Sequence, residues 1–154
     1  MKRYGKRVSA IAAVIISLTI AMPGFEPASA EASSKLGQLN IEATGDGTKW
    51  LFNYIQFGFQ SKDLQIPVNQ KVQLTVSTIG VNDSLWIPQL GLKVDANPFQ
   101  NVSTAISTNK PRKFSIMSIN LCDQHNKHMV IGRGNAITAS SFESWVKSQG
   151  GNAA

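Results

Sequence analysis

Cysteine is nearly absent. Cys122 is the only one in 154 residues, so no internal disulfide can form and the fold must hold through its core. Histidine is almost as scarce, and both copies, His125 and His128, sit beside that cysteine in CDQHNKHM (122–129). Nowhere else does an imidazole stand near a serine, lysine or acid, so the sequence lacks a nucleophilic triad or a general acid–base pair. Catalysis by the chain alone is therefore not expected. Charged residues make up only 16% of the chain, and beyond residue 30 the one cluster of positive charge is KPRK (110–113). It reads as a solvated turn, and without interleaved aromatics it gives no nucleic-acid surface. A long hydrophobic run is missing too. Residues 8–22 carry no charge, but they fall short of the ~20 apolar residues of a comfortable membrane span.

What stands at the N-terminus has an order of its own. Lys2, Arg3, Lys6 and Arg7 precede the uncharged stretch, Pro23 and Gly24 close it, and Ala28 and Ala30 supply small residues for cleavage. That order describes a secretory signal peptide over residues 1–30, with a mature domain over 31–154; left uncleaved, the segment would be an N-terminal anchor. Removing it takes away four cations against one acid, Glu26, so part of the +6 net charge belongs to targeting. The chain is expected to be exported, to the periplasm or the outer face of the cytoplasmic membrane.

The remainder alternates. In KWLFNYIQFGF (49–59), Trp50, Phe52 and Tyr54 recur with the period of a strand packed on one face. KVQLTVSTI (71–79) repeats the pattern through Val72, Leu74 and Val76, after a polar link from LQIPV. LNIEA (39–43) suggests an edge strand, and LWIPQLGLKVDANPF (85–99) is too broken by proline and glycine to be one strand. NVSTAIST, KFSIMSINL and HMVIGRGNAI continue the β pattern. SSFESWVKSQ (140–149) predicts a short helix capped by Ser140 or Ser141, with Phe142, Trp145 and Val146 on one face. About seven short strands and one closing helix indicate an all-β fold, a β-sandwich with a C-terminal helix. Trp50 or Phe52, Leu74, Val76, Leu90 and Ile116 are its expected core.

VNDSLWIPQLGLKVDANPF (81–99) resembles the segment V-x-H-S-F-x-[IV]-P-x-L-G-x-K-x-D-A-x-P-G of cytochrome c oxidase subunit II, and KWLFNY resembles that family's Q-W-x-W-x-Y strand. HMVIG through SFESW looks like its last strand and F-x-x-W helix, so the resemblance covers roughly residues 38–147. It implies a cupredoxin-like Greek-key sandwich, with a binuclear copper A centre in the electron-accepting members. It also implies a role in a respiratory chain, beside a catalytic subunit or a redox partner protein.

The ligand positions that the resemblance implies are mostly altered. The first histidine falls on Asp83, the first cysteine on Ser118, the glutamate that offers its carbonyl on Asn120, and the second histidine on Asn126, with His125 one residue early. Cys122 and Met129 are kept. A serine hydroxyl is a hard oxygen and a poor bridge between copper ions, so at most one copper per chain is expected. Two readings stand side by side. In one, Cys122, His125 and Met129, spaced C-x2-H-x3-M, bind a single copper with Asp83 or His128 completing the set. In the other, Cys122 and Met129 only fill space and no metal binds. The resemblance further implies that electrons would enter through Trp50 or Trp86, and that Lys93 and Asp95 would orient docking to the catalytic subunit. Three roles follow: an oxidase subunit II-like component serving electron input, docking or assembly; a free extracytoplasmic copper protein for electron transfer or copper delivery; or a copper-free partner domain. Membrane association would come through a partner or through the N-terminal segment.

Overall fold

The computed structural model describes residues 37–118 and 129–151. Residues 1–30, Asn120, Cys122, His125, Asn126 and His128 lie outside that range, and Met129 is described in its backbone alone.

Ten strands and one helix follow each other along the described chain. They are β1 (Leu39–Gly45), β2 (Trp50–Tyr54), β3 (Phe59–Ser61), β4 (Leu64–Pro67), β5 (Val72–Thr78), β6 (Asp83–Ile87), β7 (Leu92–Ala96), β8 (Val102–Ile106), β9 (Arg112–Ser118), β10 (Met129–Ile137) and α1 (Ala139–Ser148). They form two five-stranded sheets, ordered β3-β2-β1-β5-β8 and β4-β10-β9-β6-β7. The β1–β5 and β10–β4 pairs are parallel, and the others are antiparallel. LNIEA is therefore not an edge strand. β1 lies inside the first sheet, pairing with β2 through Ile41↔Tyr54 and with β5 through Leu39↔Val72, and its strict alternation buries Leu39, Ile41 and Ala43.

Each strand keeps its apolar parity toward the space between the sheets. Trp50, Phe52 and Tyr54 from β2 meet Val72, Leu74 and Val76 from β5, and Leu85, Ile87, Phe114 and Ile116 come from the second sheet. All are buried, and each side chain of this size contributes about 1.5–3 kcal/mol by leaving water. Leu90 is only partly buried. Two proline- or aromatic-bearing segments break the strands in the same way. The 3-10 turns Ile55–Phe57 and Pro88–Leu90 each end on a glycine in the left-handed region, Gly58 at φ 70° and Gly91 at φ 64°.

The C-terminal helix starts one residue before the expected span. Thr138 is its N-cap, with Oγ1 accepting from Ser141 N at 3.3 Å, so neither Ser140 nor Ser141 holds that place. Phe142 and Val146 are buried and Trp145 packs partly, against Tyr54 and Phe59 at ring-centre distances of 5.0 and 5.3 Å. Inside this cluster the Tyr54 hydroxyl donates to Gln65 O at 2.8 Å and accepts from Gln65 N at 2.7 Å, tying the first sheet to β4 of the second. Burial raises the Tyr54 phenol far above its ordinary value of 10.0, more than the Gln65 hydrogen bond lowers it. A raised phenol holds its proton in the folded state while the unfolded chain releases one. Its contribution is thus full below about pH 10 and lost as pH climbs beyond. In an alkaline titration the tyrosinate absorbance of Tyr54 should rise together with loss of circular dichroism, not before it. Tyr54→Phe should lower the urea-derived stability by about 1–3 kcal/mol, because Gln65 N–H loses its buried acceptor.

Candidate functional site

Asp83 opens β6 and Ser118 closes β9. These strands pair through Leu85↔Ser118, so Asp83 and Ser118 share the inner face two residues apart in register. Both are buried, Asp83 at 1% exposure and Ser118 at 5%. The Ser118 hydroxyl donates to Asp83 Oδ2 at 2.5 Å, and Ser84 N donates to Asp83 Oδ1 at 2.7 Å. Both carboxylate oxygens are thus occupied. From Ser84 the network continues outward: its hydroxyl donates to Asp95 Oδ1 at 2.6 Å, and Asp95 stands 3.9 Å from Lys93 Nζ. Lys93 and Asp95 are both exposed, so their ion pair contributes little to stability.

Opposite Ser118, across the β9–β10 pair, is Met129. The described residues that flank 119–128, Ser118 and Met129, thus stand side by side next to Asp83. Cys122, His125 and His128 lie outside the described range. Among the described residues no three His, Cys, Asp or Glu side chains converge.

The two tryptophans separate cleanly. Trp50 is 2% exposed and lies over Gly45, where a Cβ would come within 3.0 Å of its ring, so it is core and offers no surface to a partner. Trp86 is half-buried and sits between Lys93 of β7 and Met117 of β9 in register. Of the candidate sites for electron input, only Trp86 reaches the surface. Ser84 was missed in the sequence, although its place in register with Asp95 across a β6–β7 hairpin could have marked it.

The family described as the periplasmic domain of cytochrome c oxidase subunit II matches residues 57–134. The chain belongs to this family. Among its relatives, it is 32% identical over 120 residues to cytochrome c oxidase subunit 2 of Thermostichus vulcanus, covering 77% of this chain and 36% of that protein. Quinol oxidase subunit 2 of Bacillus subtilis strain 168 is 29% identical over 118 residues, covering 76% of this chain and again 36% of the relative. The chain thus spans little more than a third of the length of these two relatives. The solved periplasmic domain of cytochrome oxidase subunit II from Bradyrhizobium japonicum superposes with a TM-score of 0.63 at 22% identity, over 73% of this chain and 93% of that one, and shows the shared cupredoxin-like fold. The family's periplasmic setting places this subunit II-like domain on the outer side of the cytoplasmic membrane.

Copper is the family's metal, and its binuclear form does not fit these residues. That centre requires two bridging thiolates. At the position that the resemblance gives to the first of them stands Ser118, a hard hydroxyl whose proton is already directed to Asp83.

Proposed function

We propose that this chain serves a membrane terminal oxidase as a subunit II-like component that docks onto, or helps assemble, the catalytic subunit without a binuclear copper centre. The Asp83–Ser118 hydrogen bond supports this reading, since two positions that the resemblance assigns to copper satisfy each other instead. In this role Lys93 and Asp95, exposed on the outer face of β7, orient the docking, with Trp86 beside them. A buried carboxylate and hydroxyl bonded to one another hold β6 to β9, a tie that elsewhere in the family a metal can provide.

A second reading, a free extracytoplasmic protein with one copper for electron transfer or copper delivery, draws support from the placing of Met129 opposite Ser118. Cys122, His125 and Met129 would then bind, with Asp83 or His128 as the last ligand. Using Asp83 would require breaking its bond to Ser118.

Copper reconstitution followed by metal analysis and a visible spectrum decides between them. We expect less than one tightly held copper per chain and no thiolate charge-transfer band. We also expect the protein to co-purify with an oxidase catalytic subunit from solubilised membranes. Stoichiometric copper with a band abolished by Cys122→Ala would establish the second reading. A binuclear spectrum would overturn both.

A further inference from the structure

The end of the sandwich opposite Asp83 is built differently. β1 and β5 begin there, and β4, β8 and β10 finish there, joined by Val68 N to Ile137 O and Asn69 N to Thr108 O, both at 2.8 Å. KPRK (110–113), which reads in sequence as a plain solvated turn, leads into β9 at this end. A cleft of about 560 Å³ opens here, with Gln70, Lys71, Gln89, Ser107, Asn109 and Arg112 among its walls and no acid in its lining. Lys71 and Arg112 are exposed and form no salt bridge among the described residues. Arg112 is steadied by one guanidinium N–H donated to Gln89 O at 2.8 Å, which leaves other donors on its fork for an anion.

Gln70 supplies a second and independent sign. It is 7% exposed, and its Nε2 donates to Gly37 O at 2.6 Å, which fixes the amide's orientation. Its Oε1 is buried with no donor among the described residues. A buried amide oxygen left without a donor is unfavourable until a hydroxyl or N–H reaches it. The wall therefore asks for two things at once: negative charge for Lys71 and Arg112, and a hydroxyl for Gln70. A phosphate diester carrying a polyol has both.

The path of the chain says where such a group would come from. Gln70 holds the carbonyl of Gly37, so residues 1–36, with their uncharged stretch at 8–22 and its flanking cations, join the domain beside this cleft. Read as a signal peptide or anchor, that segment would bring the chain to the membrane, and an anionic bilayer surface attracts Lys and Arg close to it.

We propose that this cleft binds the headgroup of an anionic, hydroxyl-bearing phospholipid and so seats this end of the domain on the membrane surface. The phosphate lies between Lys71 and Arg112, and a headgroup hydroxyl, once it has parted the atoms that cover Gln70 Oε1, donates to that oxygen. Choline headgroups fit neither requirement, having no net charge and no hydroxyl. The proposal holds whether or not the copper reading does, since it uses the other end of the sandwich.

Dihexanoyl phospholipids, kept as dissolved monomers, test the cleft without a bilayer. For the full-length protein, dihexanoyl phosphatidylglycerol should bind at least about tenfold more tightly than dihexanoyl phosphatidylcholine. The phosphatidylmethanol analogue, charged but without a hydroxyl, should fall between them. Gln70→Leu should bring phosphatidylglycerol down to the phosphatidylmethanol level, while Lys71→Glu with Arg112→Glu should abolish the preference; all three positions are checked for unchanged far-ultraviolet circular dichroism. In a second arm, vesicles of phosphatidylglycerol should retain the wild type more strongly than the Lys71→Glu/Arg112→Glu protein, which carries the same N-terminal segment. Equal binding of the glycerol and choline lipids would overturn the proposal. So would free glycerol phosphate binding as tightly as the lipid with no vesicle difference, which would identify a soluble ligand instead. If Gln70→Leu fails to fold, the charge-reversed pair and the phosphatidylmethanol comparison still decide the outcome.

Discussion

Gly134→Ala should destabilise the domain by about 3 kcal/mol, and Gly134→Val should leave little folded protein. Gly134 lies on the inner face of β10, opposite Phe114 of β9 and in parallel register with Leu64 of β4. A Cβ built on it would lie 2.5 Å from Phe114 Cζ and 2.6 Å from the Leu64 carbonyl oxygen. The ring could turn away only by leaving a buried position, and the carbonyl belongs to a neighbouring strand, so the backbone itself must shift. Against a typical total stability of about 5–15 kcal/mol, that is a large fraction. Urea unfolding at unchanged slope measures it. Adding Phe114→Leu to Gly134→Ala should recover part of the loss but not all, because the contact with the Leu64 carbonyl remains. Full recovery would mean the backbone contact is unimportant.

Asp83→Ala should cost about 3 kcal/mol. It strips the acceptor from two buried donors, the Ser118 hydroxyl and Ser84 N–H, each of which costs about 1–3 kcal/mol when left unmade. Ser118→Ala alone should cost less, since Asp83 keeps its bond from Ser84 N. The double variant Asp83→Leu/Ser118→Ala should be closer to wild type than Asp83→Leu alone, because removing both partners leaves less buried polarity unmatched. A double-mutant cycle in urea reads the coupling, expected at 1 kcal/mol or more in magnitude on the ~0.5–3 kcal/mol scale of contacting pairs. Simple additivity would show that the two residues do not act together, and the pairing would lose its standing as a replacement for the metal tie.

Period-two alternation was enough to place β2, β5 and β9 and to choose their inner residues, because a strand with one buried face must alternate. Proline and glycine in 85–99 correctly forbade a single strand, and the structure puts a 3-10 turn at Pro88–Leu90 between β6 and β7. What alternation does not encode is partnership. LNIEA has the same pattern at an edge or in the middle, and only its parallel pairing with β5 decides that it is internal. In the same way, the strands of 64–67 and 72–78 follow one another in sequence yet belong to different sheets. At the site, the family resemblance points to Asp83 and Ser118 separately, as positions where the family carries copper ligands. Their bond to each other depends on a register between strands 35 residues apart, which neither local pattern contains. Trp50 and Trp86 were equivalent as letters in aromatic stretches, and burial alone separates them.

The placement of β10 also bears on how the domain is made. Every strand of the first sheet lies within residues 39–106, so that sheet can form early from a chain arriving N-terminus first. The second sheet cannot. β4 has no partner in it other than β10, and β10 ends at Ile137, so β4 waits some seventy residues for its neighbour. Loop closure over that distance is slow, and until it happens the apolar face of the first sheet is covered only in part, by β6, β7 and β9. A chain of this topology remains open while it is still being threaded across a membrane. It snaps shut only when its last strand inserts, so the C-terminal end acts as the fastener of the domain and sets the moment at which it ceases to be vulnerable to aggregation or proteolysis.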